Sequence, residues 1–206
     1  MDMQTYLNEI EHAATISLTA VWQEYSEAEV LAERVSNQTK LMHEGYRRAV
    51  AWQESEDPDD VMLGAGIHWD TYFGPDKERH HAQESLDNTK EKLTKLNFSI
   101  ESLSGNILQH AKQGISIVHG EPANCPVGRI IGTQSIEKII WQARNQSLHW
   151  ESQIFHPPVV NCFNKLSKEI NSEFSLYTSR NMAFDIINLF NWRTFRDFKI
   201  DMLSIA

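Results

Sequence analysis

Residues 7–35 read LNEIEHAATISLTAVWQEYSEAEVLAERV, and apolar side chains recur in this stretch at steps of three and four. Such steps place the apolar side chains on one face of an α-helix, whereas a half-buried strand would alternate at every second residue. The pattern predicts a helix from about residue 3 to about 36. Its apolar stripe consists of Leu7, Ile10, Ala14, Leu18, Val21, Tyr25, Ala28, Ala32 and Val35.

The helical spacing resumes after a polar tetrapeptide. SNQT at 36–39 predicts a break or kink, after which the helix continues to about residue 55 and ends before Pro58, because proline does not continue a helix. An ordered loop is predicted over 56–75, followed by a second long helix over about 76–118. Two long helices joined by a loop predict an antiparallel hairpin whose seam resembles a coiled coil.

The second half of the chain predicts shorter helices. A linker with two prolines and three glycines covers 119–132. Helices are predicted over about 133–152, 159–176 and 181–203, with HPP at 156–158 ending the first of them. No convincing β-alternation appears. We therefore expect an all-α protein, an antiparallel helical bundle of five or six helices that begins with a long hairpin and forms a single domain over 1–206.

Composition limits the classes of function. Hydrophobic content of 41% and charged content of 23% are ordinary for a soluble globular protein. Two cysteines give no disulfide framework, and no signal peptide or apolar span is visible, so a cytoplasmic protein without a membrane segment is expected. The net charge is −9, and residues 1–60 hold 4 Lys and Arg against 13 Asp and Glu. This balance argues against a general polyanion binder.

One polar cluster interrupts an otherwise ordinary amphipathic pattern. WQARNQSLHWES at 141–152 brings Arg144, Asn145 and His149 close together in the sequence. Two interpretations are open at this point. The three residues are either solvated or ion-paired surface side chains, or they form a small basic catalytic cluster.

The segment RNQSLH, residues 144–149, resembles the R-X4-6-H motif of the HEPN superfamily, in which a polar residue, often Asn, follows the arginine. The resemblance covers only about residues 135–152 and indicates no subfamily. It implies an α-helical, commonly dimeric protein that acts as a metal-independent endoribonuclease without a cofactor, of the kind found as toxins and antiviral effectors. Arg144 would then stabilise the phosphorane, His149 would be the general acid and base, and Asn145 would position one of them.

Two features complicate this interpretation. Arg144 and His149 are five positions apart, so on an ideal helix their side chains point about 140° apart. A symmetric homodimer would supply two copies of each residue to one cleft. In addition, some HEPN toxins carry a tyrosine two residues after the histidine that an antitoxin modifies, and this chain has Glu151 there. The resemblance therefore gives no support for that mode of control.

Weaker expectations concern RNA contacts and partners. Trp69 and Tyr72 beside a glycine turn are candidates for stacking an RNA base, and Arg129 for contacting a phosphate. No metal-binding or phosphate-binding motif is present in the sequence. An antitoxin or regulatory protein partner is expected if the chain is a toxin, and the acidic 1–60 segment is one surface that such a partner could bind. The alternative is a non-catalytic helical binding or assembly module within a defence or regulatory complex.

Overall fold

The fold is known from a computed structural model that describes the backbone of residues 1–53 and 75–206, and the side chains of residues 1–40 and 84–206. These ranges contain α1 (Met3–Gln53), α2 (Pro75–His119), α3 (Ile136–His149), α4 (Pro157–Glu169), α5 (Ala183–Phe190) and α6 (Phe195–Leu203). Short 3-10 helices cover Pro122–Asn124, Trp150–Ser152 and Ser172–Thr178, and β1 (Ile130–Ile131) pairs antiparallel with β2 (Gln134–Ser135). The all-α class is confirmed. Across the described ranges, no helix combines the length and apolar character that crossing a membrane requires.

The first helix is continuous through residues 36–39, where a break was predicted. The predicted break is wrong because the polar side chains there bond without leaving the helix, and the alternative of a kink stays a prediction. Thr39 Oγ1 donates to the carbonyl of Val35 at 2.7 Å, and Gln38 donates to Ser85 Oγ on α2 at 3.4 Å. Polar residues of this kind cost a helix only a few tenths of a kcal/mol each (~0.5), which is too little to break it.

Within residues 26–97, α1 and α2 are antiparallel, as the predicted hairpin requires, because Glu27 contacts Lys92 while Gln38 contacts Ser85. The chain divides into two compact units, one formed by 1–25 with 98–206 and one formed by 26–97. In the first unit, Tyr6 donates its hydroxyl to the carbonyl of His110 at 2.7 Å. In the second, Glu27 forms an ion pair with Lys92. The single domain over 1–206 stays a prediction.

A tight hairpin explains why α3 begins later than predicted. Gly132 adopts a φ of 60° in the turn between β1 and β2, a conformation that favours glycine. The carboxylate of Glu169 accepts bonds from the backbone N–H and the hydroxyl of Thr133, at 2.7 and 2.8 Å. Residues up to Ser135 are therefore held in the hairpin, and helical structure starts only at Ile136.

The last two predicted helices are each divided in the structure. The HPP segment was predicted to end a helix, but Pro157 is instead the first residue of α4. At the first position of a helix the missing N–H of proline costs nothing. The α4 helix ends at Glu169 and a 3-10 helix follows. Asn191 then ends α5 in the left-handed region at φ 56°, and Thr194 starts α6 with a capping box closed by Asp197.

The C-terminal helices contain a partly buried polar contact. Asp201 Oδ2 accepts hydrogen bonds from the Trp192 indole and from the Arg129 guanidinium, both at 2.7 Å. Arg129 also donates to the carbonyl of Phe190 at 2.9 Å. Burial raises the pKa of Asp201, although the bonds from Trp192 and Arg129 oppose the shift. The contact links the 119–132 segment to α5 and α6.

His110 on α2 gives a stability prediction. Burial lowers its pKa, and its Nδ1 is buried without a hydrogen-bond partner. The unfolded chain therefore binds a proton at this residue at higher pH than the folded chain does. As pH falls below about 6.5, the unfolded state is favoured and stability is lost.

We expect the unfolding free energy, measured with urea between about pH 5 and pH 7, to rise with pH less steeply in His110→Gln than in the unsubstituted protein. His12→Gln, at an exposed position of α1, is the control. An unchanged slope in His110→Gln would contradict the assignment.

Candidate functional site

The motif helix α3 divides the RNQSLH segment into two sets of side chains. Gln146 and Ser147 are buried, whereas Arg144 and Asn145 are half-buried and His149 is exposed. Gln146 donates to the carbonyls of Tyr177 and Arg180, at 2.7 and 2.8 Å, and so fixes α3 against the segment that leads into α5. The three candidate catalytic residues are therefore on the solvent-facing side of a helix whose other side is held by the core.

A neutral side chain orients Arg144. Its Nε donates to Gln109 Oε1 on α2 at 2.6 Å. Burial lowers the pKa of Arg144, but an arginine remains a cation at any physiological pH. No carboxylate in the described part of the chain forms an ion pair with it. Gln109 thus fixes the guanidinium in place without neutralising its charge.

A cleft of about 410 Å³ opens beside Arg144, within the unit formed by 1–25 and 98–206. Its lining combines aromatic rings, side-chain amides and two carboxylates with the single cation. The principal lining residues are Phe98, Glu101, Asn106, Gln109, Arg144, Ser147, Leu148, Trp150, Glu151 and Asn181. Rings and amides are groups that stack on and hydrogen-bond to planar polar ligands such as nucleobases.

His149 is the last residue of α3, at the point where the helix changes to a 3-10 turn. Its backbone has φ −123° and ψ 8°, which is outside the α-helical region. Its carbonyl accepts a bond from Ser152 Oγ at 2.8 Å, while its ring has no hydrogen bond or ion pair with the described residues. The imidazole is therefore open to solvent and to a ligand.

The structure does not bring all three candidate residues to one cleft. Asn145 and His149 are four positions apart and share a helix face, but neither lines the cleft beside Arg144. Leu148, with 56% of its surface exposed, lies between these two faces. Within one copy of the chain, the cleft has the arginine and lacks the imidazole.

The weaker candidates have different outcomes. Arg129 is bonded to Asp201 and to the Phe190 carbonyl, and its role in contacting a phosphate stays a prediction. Trp69 and Tyr72 lie outside the described residues. Their role in stacking a base stays a prediction.

The two cysteines are poor nucleophiles at neutral pH. Burial, with a smaller effect of Glu137, raises the pKa of Cys125 to about 11, and burial raises the pKa of Cys162 to about 12. A thiol acts as a nucleophile only as the thiolate. Neither cysteine is therefore a candidate catalytic residue.

Sequence reasoning missed the part of the site that lies on α2. Asn106 and Gln109 are one helical turn apart and line the cleft with Arg144. Their only signal in the sequence is a pair of amides at a spacing of three beside the apolar stripe. Such a pair is common on helix surfaces, so it predicts no site by itself, and only the packing of α3 against α2 makes it part of the cleft.

Comparison with known proteins identifies no relative of this chain: no protein-family model, no curated protein and no solved structure matches it.

Proposed function

We propose that this protein is a metal-independent endoribonuclease that resembles the HEPN superfamily, with Arg144 and His149 as its catalytic residues. One observation carries the proposal. Arg144 is half-buried and has no carboxylate partner among the described residues, although the chain contains 28 Asp and Glu. By contrast, Arg129 is paired with Asp201 and Arg180 with Asp185. A desolvated cation without a counter-ion is costly, and a bound phosphate would offset that cost.

The chemistry follows from the two side chains. His149 takes the proton from a ribose 2′-OH, whose oxygen attacks the adjacent phosphorus while the bond to the leaving 5′-oxygen breaks. An imidazolium returns a proton to that 5′-oxygen. Arg144 stabilises the negative charge on the non-bridging oxygens, and Asn145 positions the phosphate or the imidazole. The products carry a 2′,3′-cyclic phosphate and a 5′-OH.

A second copy of the chain completes the site in this proposal. The cleft beside Arg144 lacks His149 in one copy, and exposed Leu148 lies between the two faces. Two α3 helices related by a twofold axis would pair the arginine of one copy with the histidine of the other. Two imidazoles would also supply one base and one acid.

The cellular role belongs to the same proposal. A metal-independent endoribonuclease of this kind would act in the cytoplasm as a toxin or as an antiviral effector. An antitoxin or regulatory protein would then restrain it. The excess of acidic residues in 1–60 offers a basic partner a surface of opposite charge.

The test is cleavage of a labelled RNA pool by the purified full chain in excess EDTA. Removing one donor to a transition-state oxyanion typically lowers a rate about 10²–10³-fold, and we expect a loss of that size in Arg144→Ala. Arg196→Ala removes an exposed arginine of α6 and is expected to cleave normally. Equal cleavage by Arg144→Ala and the unsubstituted protein would contradict the proposal, as would products that end in a 3′-OH.

A second candidate function is a non-catalytic binding or assembly module. It is favoured by the composition of the cleft, where Glu101 and Glu151 accompany Arg144 and the imidazole is absent. Carboxylates repel an RNA backbone and attract basic or hydrogen-bond-donating ligands. This candidate predicts that no RNA is cleaved by the unsubstituted protein, as a monomer or as a dimer.

A further inference from the structure

Two contacts one helical turn apart join α2 to α3. Gln109 accepts a bond from Arg144 at 2.6 Å, and the Lys112 ammonium lies 4.4 Å from the centre of the Trp141 ring. From the first contact to the second, the residue number rises from 109 to 112 on α2 and falls from 144 to 141 on α3. The two helices are therefore antiparallel here. Residues three apart are neighbours on a helix surface. Lys112 therefore lies beside Arg144, along the contact between α2 and α3 and next to the cleft that Arg144 lines.

Neither of these neighbouring cations has an acidic partner among the described residues. Burial lowers the pKa of Lys112, and the positive charge of Arg144 adds a smaller shift in the same direction, as a nearby like charge does. The Trp141 ring offers Lys112 a cation–π contact but no negative charge. Lys92 and Lys95, on the same α2 helix, are each paired with a glutamate.

From this geometry we propose that Lys112 is a second backbone-binding residue, which holds an RNA phosphodiester beside the phosphate bound by Arg144. The proposal rests on the proposed function for its substrate class. Two adjacent phosphates, one at Lys112 and one at Arg144, offset the repulsion between the two cations, and they gain a point charge and a planar fork as ligands. Lys112 is one helical turn from Gln109, which holds Arg144, so it contacts the strand beside the phosphate at which the bond breaks and not at that phosphate. It is a positioning residue.

The experiment measures binding without reaction. A fluorescent single-stranded DNA of about 12 nucleotides, within the usual range of site sizes, presents the phosphodiesters and lacks the 2′-OH needed for cleavage. Its affinity for the full chain is measured by anisotropy over a range of salt concentrations. Each phosphate contact contributes about 0.7 to the slope of log affinity against log salt. Lys112→Met keeps an unbranched side chain over Trp141 and removes the charge.

We expect Lys112→Met to lower that slope by about 0.7 and to weaken binding about 5-fold in about 0.1 M salt. Lys112→Arg, which keeps the charge, is expected to retain the slope. The matched control is Lys168→Met, which removes an exposed lysine of α4 that does not line the cleft beside Arg144 and should change neither quantity.

An unchanged slope in Lys112→Met would overturn the proposal. So would the absence of any binding by the unsubstituted protein at low salt, or displacement of the strand by inorganic phosphate at an equal concentration of phosphate groups, which would indicate a site for free phosphate. Lys112-dependent binding by a protein that never cleaves RNA would support this proposal and refute the proposed function. Cleavage that depends on Arg144, together with binding that does not depend on Lys112, would support the proposed function and overturn this proposal.

Discussion

Replacing His149 by alanine is expected to lower the rate of RNA cleavage in EDTA by about 10²–10⁴-fold, the usual contribution of a general acid or base. The loss should arise from chemistry rather than from folding. The ring of His149 is exposed and has no hydrogen bond or ion pair with the described residues. Removing an exposed side chain of this kind changes the unfolding free energy by no more than about 0.5 kcal/mol.

The matched control for this variant is His156→Ala. His156 is also exposed and lies seven residues further along the chain, immediately before α4. It should cleave RNA at the rate of the unsubstituted protein. If both variants cleave normally, the activity belongs to another site or to a contaminant. If His149→Ala loses activity together with its thermal stability, the histidine has a structural role instead.

Replacing Gln146 by leucine is expected to lower the unfolding free energy by about 3–5 kcal/mol. Gln146 is fully buried and satisfies three backbone groups, since it donates to the carbonyls of Tyr177 and Arg180 and accepts from the N–H of Met182 at 3.0 Å. Leucine has a similar volume and no polar atoms. Each backbone group left unpaired costs about 1–3 kcal/mol.

Urea denaturation of Gln146→Leu beside Gln142→Leu tests this expectation. Gln142 is on the same helix and is only half-buried, so its replacement should change stability by about 0.5 kcal/mol or less. A loss below about 1 kcal/mol in Gln146→Leu would show that water or rearranged backbone replaces the glutamine. The hydrogen bonds of the amide would then not be what holds α3 to the segment before α5.

Helix type and order could be predicted from the sequence because burial follows the three-and-four spacing. Leu7, Ala14, Leu18 and Val21 belong to the predicted stripe of α1 and are all buried. The predictions of helix boundaries are wrong where hydrogen bonds of local polar side chains determine the backbone conformation. SNQT looked like a break, yet Thr39 bonds within its own helix. The Thr194–Asp197 capping box was visible in the sequence and would have divided the last helix correctly.

For the candidate site, the sequence indicated the motif residues but not their surroundings. Spacing alone cannot tell that Gln146 faces the core while Asn145 faces solvent, because that depends on how α3 is rotated against its neighbours. Nor can the spacing show that Arg129 forms an ion pair with Asp201, 72 residues away in the sequence. Gln109 and Lys112 lie next to Arg144 because α2 packs against α3. The sequence of neither helix predicts which helices pack together.

The three hydrogen bonds of Gln146 also bear on how a site built on α3 would respond to a ligand. They oppose sliding and rotation of the helix, so we expect the guanidinium two residues away to need little reorganisation when a ligand binds. His149, in contrast, lies where the α-helix ends, and helix ends open at a lower free energy than helix centres. In the proposed function, Arg144 would therefore bind the phosphate from a fixed position, while the imidazole of His149 could adjust to the bound strand.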